Sequence, residues 1–482
     1  MTQCIRIVAK GEDDEKTSCE GATLAVQFRQ SKIVTTSRRI LGFFLTHRFI
    51  SALAVFGLSF LVRLAMLLYV GDIDHHGAAE AENIALALIS KHQFADPFAI
   101  PTGPTAHTTP FYPLLLAGVY ALFGHGYVGY LVRALLVIGA YSLLYSLYIW
   151  LAPSFGFPEG AGLFAGFASA VLPVKRSAEV FLGWEEPYAA IALAFLLLLT
   201  FKQWGTQHRK IGTAIYLGLC WGIALYISFS LATVLLGLLV VDVLLRRSWT
   251  AIRDSLCIGL TVIVVIAPWV VRNRVEMHAW TMMRSAFGEN LWCSNNDHAH
   301  PSIELVNTDP LAKKMYPINA RSEATKVRDM GEVGYDRYEL RLALHWIQQN
   351  PRKFANLSLL RFLYFWAGPL DHPFEVAVTI SYTLLGLAGL FFIRRYVGGI
   401  QFQLWLTTLI CFPVMYYFVQ YVNRYRTPID WMVWLSAGLT VSLLFARLGP
   451  KEPARESLPA REPVTTERIT EQVTIAIGRA DC

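Results

Sequence analysis

Residues 71–124 read GDIDHHGAAEAENIALALISKHQFADPFAIPTGPTAHTTPFYPLLLAGVYALFG. This stretch lies between two apolar runs, 46–70 and 127–151, and its second half decides the topology of everything that follows. If the apolar piece 110–124 crosses a membrane, then Arg246, Arg247, Arg253 and the Arg394–Arg395 pair fall on the outer side. If it lies along the surface, those residues share a side with Arg38, Arg39, Arg48, His208, Arg209 and Lys210. Short basic clusters beside apolar runs belong in the cytoplasm. The expectation is therefore a surface helix over 110–124, with both termini cytoplasmic.

Composition sets the class. A chain of 482 residues with 54% hydrophobic, 13% aromatic and only 16% charged residues is a polytopic, all-α membrane protein. The net charge of +7 does not argue for a nucleic-acid partner, because much of the Lys and Arg flanks apolar runs. Seven cysteines without a C-x-x-C pair imply no disulfide framework. The first 45 residues hold no early apolar stretch, so the first span is expected to act as its own insertion signal.

Apolar runs of crossing length occupy 46–70, 127–151, 159–175, 187–201, 212–245, 254–271, 375–393, 402–420 and 429–446. The run 212–245 is too long for one span, and Ser228 with Ser230 marks a turn that splits it. About ten transmembrane helices result, with interfacial helices and a large extracytoplasmic segment between spans seven and eight. The organisation reads as a cytoplasmic segment 1–45, a transmembrane module 46–271 whose acidic first outer loop is 71–126, the extracytoplasmic segment 272–374, transmembrane helices 375–446 and a mobile cytoplasmic tail 447–482. Within 272–374, EVGYDRYELRLALHWIQQNP has helical spacing, and LSLLRFLYFWAGP reads as an interfacial or re-entrant helix. The shorter stretches 176–186 and 421–430 join the first loop on the outer side.

Carboxylates beside a bilayer are costly without a reason, so Asp72, Asp74, Glu80 and Glu82 mark a candidate site. The alternative is a solvated loop that merely marks the outer side. His75, His76, His92 and His107 match no recognised zinc spacing.

Several stretches carry a resemblance. They are ENIALAL (82–88), TGPTAH (102–107), FYPLLLAGVYALFG (111–124), PWVVRN (268–273), RSAFGENLW (284–292), GEVGY (331–335) and RFLYFWAGP (361–369). In this order and on one expected side, they resemble the C-type glycosyltransferases that use lipid-linked sugars. That group includes the protein mannosyltransferases and the aminoarabinose transferases, and the similarity runs from about residue 57 to 435. It implies a hexosyl- or pentosyltransferase taking its sugar from a polyprenyl phosphate at the outer surface of the bacterial inner membrane, with a lipid, glycan or protein as acceptor.

Such a donor already carries a good leaving group, so the reaction needs a base for the acceptor hydroxyl and cations for the departing phosphate. The resemblance places the base in the first outer loop, at Glu80, before Ile84–Ala85. Relatives with an earlier Asp would align it on Gly77, which leaves Asp72 or Asp74 as alternatives. Glu185, after Trp184, stands where a second acid would orient the acceptor or hold a cation; with Glu186 it could equally cap the helix opening at Pro187. His107 stands where relatives tend to carry Trp. For the phosphate, Arg63, Arg272, Arg284, Arg424 and Arg426 compete, with Tyr425 between the last two. Arg424 and Arg426 converge if NRYRTP is extended and diverge if it is helical. No cofactor is assigned with certainty; the resemblance allows a divalent cation, Mg²⁺ or Mn²⁺, held through carboxylate oxygens. Two rival readings are a transporter or flippase of lipid-linked saccharide, and an inactive protein of the same fold. The first expects internal repeats and broken helices that this chain does not display.

Overall fold

A computed structural model describes residues 42–71, 79–172, 184–206, 209–370 and 372–448. The expectations for Asp72, Asp74, His75, His76, for most of 176–186, for residues 1–41 and for the tail from 449 onward lie outside these residues. The larger compact unit ends at Ser442, and the account below concerns that unit.

The described residues are almost wholly helical, with two isolated β-bridges in place of any sheet. Helix α1 spans Arg48–Val70 and stops at Gly71, whose φ of 69° lets its N–H reach back to the Leu67 carbonyl. Two short helices follow, α2 (Ala79–Lys91) and α3 (Phe111–Phe123). Next come α4 (Tyr127–Ser154), α5 (Glu159–Val171), α6 (Glu186–Gly205), α7 (Ile211–Ile227), α8 (Leu231–Arg246) and α9 (Trp249–Glu276). The segment after α9 holds α10 (Phe287–Ser294), two single-turn helices, α11 (Arg321–Met330), α12 (Glu332–Gln349) and α13 (Pro351–Ala367). The chain closes with α14 (Pro373–Phe392), α15 (Gly399–Cys411) and α16 (Thr427–Leu448).

Seven helical stretches are long and apolar enough to cross a membrane: Arg48–Val70, Tyr127–Ser154, Glu186–Gly205, Trp249–Glu276, Pro373–Val397, Gly399–Tyr417 and Asn423–Ala446. Three shorter helices, α5, α7 and α8, of 13, 17 and 16 residues, stand at the other places where the sequence suggested spans, and they fall below that length. The long run 212–245 breaks at Ser228, whose hydroxyl lies 2.9 Å from that of Ser230. The ambiguous piece 110–124 forms a 13-residue helix, roughly 20 Å long and too short for a hydrocarbon core of about 30 Å.

Helix α3 instead packs beside α2. Ala81 and Ala85 of α2 meet Tyr112, Leu116, Val119 and Tyr120 of α3, and Tyr130 and Trp184 close the cluster. Small residues on one helix and large ones on the other allow the close approach. A buried ion pair clamps the same region: Glu82 binds Arg133 Nη1 at 3.0 Å and His125 Nε2 at 2.8 Å. These contacts, one and two residues along the same first turn, fix where residue 80 stands.

The segment between α9 and α14 is stitched to the chain before α16. Tyr421 N–H donates to the Pro301 carbonyl at 2.8 Å, and Ile303 N–H donates to the Tyr421 carbonyl at 2.9 Å. Gln420 N–H donates to Ser294 Oγ at 2.8 Å, while Arg361 Nη1 and Asn295 Nδ2 both donate to the Phe418 carbonyl at 2.9 Å. These bonds hold the short 3₁₀ helix Asn423–Arg426 in place.

Candidate functional site

Glu80 lies in the first turn of α2 and is half-buried. Among the described residues no side chain hydrogen-bonds to its carboxyl, but the charges of Arg424 and Arg284 both act on it. Burial raises its pKa above the ordinary carboxylate range, against the pull of those two arginines. Two residues on, Glu82 differs in kind: it is buried and already committed to Arg133 and His125. Glu80, by contrast, has no described side chain bonded to its carboxyl and feels the charges of Arg424 and Arg284.

Trp184, Glu185 and Glu186 approach from the start of α6, where Pro187 pre-sets the first turn. Glu185 holds the N-cap position, yet its side chain makes no capping hydrogen bond. Glu186 accepts from Arg424 Nη1 at 2.7 Å. The Arg424 guanidinium lies 4.2 Å from the Trp184 ring centroid and 5.4 Å from that of Tyr425. Tyr425 in turn packs on Tyr416 with centroids 4.5 Å apart. Arg284 enters from the loop before α10, its Nε donating to the His107 carbonyl at 2.9 Å. Its charge also reaches Glu186 and Tyr425. Thus Glu80, Glu185, Glu186, Arg284, Arg424 and Tyr425 form one polar cluster, built from four parts of the chain that are far apart in sequence.

The other arginines are elsewhere. Arg63 is fully buried in α1 and donates to the Ser169 and Ala170 carbonyls at 3.0 Å, at the C-terminal end of α5 where a cation is favoured. Arg272 lies between Phe94 and Trp269 and donates to the carbonyls of Thr105 at 2.6 Å and Phe94 at 2.8 Å. Arg426 pairs with Asp430 and donates to Thr383 Oγ1 at 2.7 Å and the Trp366 carbonyl at 2.9 Å. The joint bearing Arg424 and Arg426 is a 3₁₀ helix, so the two side chains diverge. One faces the carboxylate cluster and the other faces α14.

His107 is buried, with Nδ1 3.6 Å from Glu289 and its ring edge-on to Phe98. Burial, aided by Arg284, lowers its pKa to about 3, so the imidazole is neutral near pH 7. Glu289 has its pKa pushed well above the carboxylate range by burial and by neighbouring acids, Glu80 first among them. Among the described residues no group of three or more His, Cys, Asp or Glu side chains could hold a metal ion.

Sequence reasoning did not find the roles of Trp184, Glu186, Glu289 or Glu332. A readable sign existed for one other partner: Asp430 stands four residues after Arg426, the spacing of a helical ion pair.

No family model and no curated protein matches this sequence. Solved structures do resemble it. The archaeal oligosaccharyltransferase AglB from Archaeoglobus fulgidus, in complex with an inhibitory peptide and a dolichol-phosphate, is similar at TM-score 0.50 and 15% identity over 88% of this chain. This chain spans about half of that protein's length, 54%. ArnT from Cupriavidus metallidurans, bound to undecaprenyl phosphate, is similar at TM-score 0.38 and 16% identity, over 81% of this chain and 77% of its own. The protein is an all-α polytopic membrane protein, and its fold is of the kind seen in the archaeal oligosaccharyltransferase.

Proposed function

We propose that this protein is an inverting membrane glycosyltransferase that moves a hexose or pentose from a polyprenyl phosphate to an acceptor hydroxyl. The observation that carries the proposal is Glu80: a half-buried carboxyl of raised pKa, unclaimed by any described side chain and held near two arginines. A base of raised pKa facing a cationic phosphate site is what single displacement on such a donor requires. The fold supports the same reading, since the archaeal protein it resembles was captured with a dolichol-phosphate.

In the proposed step, a Glu80 oxygen takes the proton of the acceptor hydroxyl as that oxygen bonds to the anomeric carbon. The carbon–oxygen bond to phosphate breaks on the opposite face, and the electron pair leaves with the polyprenyl phosphate. Arg424, assisted by Arg284, receives that charge; a guanidinium can bind two phosphate oxygens at once. Glu186 and Trp184 keep Arg424 aimed before the donor arrives. Glu185, beside Glu186 and without a capping bond of its own, is assigned to orient the acceptor. The reading puts the cluster at the extracytoplasmic surface of the inner membrane; the basic clusters at 209–210, 246–253 and 394–395, of the kind that favours the cytoplasm, support it.

The test is release of polyprenyl phosphate by the purified chain, supplied with polyprenyl-phosphate sugars and candidate acceptors. The expected result is release by the natural chain. Glu80→Gln should lose on the order of 10²–10⁴-fold of that rate while binding donor normally. Donor binding with no transfer by the natural chain, under every sugar and acceptor tried, would instead favour an inactive fold relative or a carrier of lipid-linked saccharide.

A further inference from the structure

Three of the stretches that carry the sequence resemblance, at 102–107, 284–292 and 331–335, meet around one buried carboxylate. Glu332 opens α12 directly after Gly331, whose φ of 73° turns the chain into the helix. Its Oε1 accepts from the Ala106 N–H at 2.9 Å and from the Ser285 hydroxyl. Its Oε2 accepts from the Thr105 hydroxyl, whose oxygen also receives the His107 N–H at 2.9 Å. Ser285 N–H donates to the Ala106 carbonyl at 3.0 Å, and Arg284 Nε donates to the His107 carbonyl at 2.9 Å. One carboxylate therefore ties two loops into a single knot, and Arg284 leaves that knot pinned at its Nε. The rest of its guanidinium is left for Glu80, Glu186 and Tyr425, on all of which its charge acts.

We infer that Glu332 is a positioning residue for transfer, which aims Arg284 at the donor phosphate by holding the loops 102–107 and 281–286 together. This rests on the reading of Arg284 as a phosphate partner. The physical reason is that a long, free arginine must give up its rotamer freedom on binding, whereas a pinned one has already done so. A buried carboxylate taking three donors is a strong tie for such a purpose, because charge-assisted hydrogen bonds exceed neutral ones. Glu332 touches neither donor nor acceptor in this account and acts only through Arg284.

A double-mutant cycle on the full chain tests it, read as binding of a sugar-free polyprenyl phosphate. Arg284→Ala should weaken binding about tenfold, and Glu332→Ala roughly five- to tenfold. The double variant should be no weaker than Arg284→Ala alone. Glu332→Gln keeps an acceptor for Ala106 N–H and should recover most of the affinity. Losses that multiply in the double variant would overturn the inference while leaving the phosphate reading of Arg284 intact. Normal binding by Arg284→Ala would remove that reading, and the inference with it. Should Glu332→Ala fail to fold, Ser285→Ala cuts one tie and Thr105→Val cuts two, the bond to Glu332 and the acceptor of His107 N–H; each should cost about twofold or more, and only when Arg284 is present. No loss in either would also overturn the inference.

Discussion

Two of the charge clusters among the described residues are built on opposite plans. One joins Arg209, Asp242, Asp254, Arg246 and Arg253. Arg209 binds Asp242 through two bonds, 2.8 and 3.1 Å, and Arg246 Nε completes Asp242 at 2.7 Å. Arg253 reaches Asp254 at 2.7 Å. Each charge there is answered by another, and the cluster closes the ends of α7, α8 and α9. The second cluster, around Glu80, Arg284 and Arg424, has one direct ion pair, Glu186–Arg424, and leaves the Glu80 carboxyl unclaimed by described side chains. A closed network stabilises geometry; an open one holds capacity for a ligand. Residue type alone does not separate them, since both are arginines and acids between helices.

The contrast is tested most sharply by Glu80→Gln against Asp242→Asn. The first should abolish transfer, about 10²–10⁴-fold, with the melting temperature unchanged or slightly raised. The second should do the reverse. Removing one partner of a buried pair leaves uncompensated charge and costs about 3–5 kcal/mol, while transfer per folded molecule stays normal. A stable Asp242→Asn, or an unstable Glu80→Gln, would break the distinction between closed and open clusters.

A smaller effect separates two neighbours on one joint. Arg424→Ala should weaken polyprenyl-phosphate binding about ten- to a hundredfold, and Arg424→Lys less, because Lys keeps the charge and loses the fork. Arg426→Ala should lower thermal stability and leave affinity per folded molecule near normal, since its hydrogen bonds go to Thr383 and Trp366. Equal affinity losses in both would mean that the two side chains converge after all.

The finest test is pH. As the proposed base Glu80 has to be deprotonated, and burial raises its pKa despite Arg424 and Arg284. The rate should therefore rise with pH through an inflection above the usual carboxylate value of about 4.3. Arg424→Ala removes a charge that favours the ionised form, so the inflection should move to higher pH. A kcat/KM profile of both proteins measures the two positions, and a shift to lower pH in the variant would contradict the pairing.

Much of the fold was legible because hydrophobic length is a local property. The break at Ser228 follows from counting residues against bilayer thickness, and the surface helix at 111–123 from where the basic clusters fall. Which arginine does what was not legible, because the deciding partners are remote in sequence. Arg272 is set by the carbonyls of Thr105 and Phe94, 167 and 178 residues away. Glu332 is set by Thr105 and Ser285, which no periodicity links to it. Glu80 and Arg424 could be proposed from their positions in the motifs, yet the ion pair that aims Arg424 spans 238 residues.

The stitch at Tyr421 has a consequence for anyone who would build hybrids from this chain. The segment between α9 and α14 cannot be lifted out as a cassette. Cutting it away strips hydrogen-bond partners from the Phe418 carbonyl, the Gln420 amide and both backbone groups of Tyr421, directly beside the joint that carries Arg424. A graft of this segment has to carry 294–303 and 418–421 together as one inherited piece.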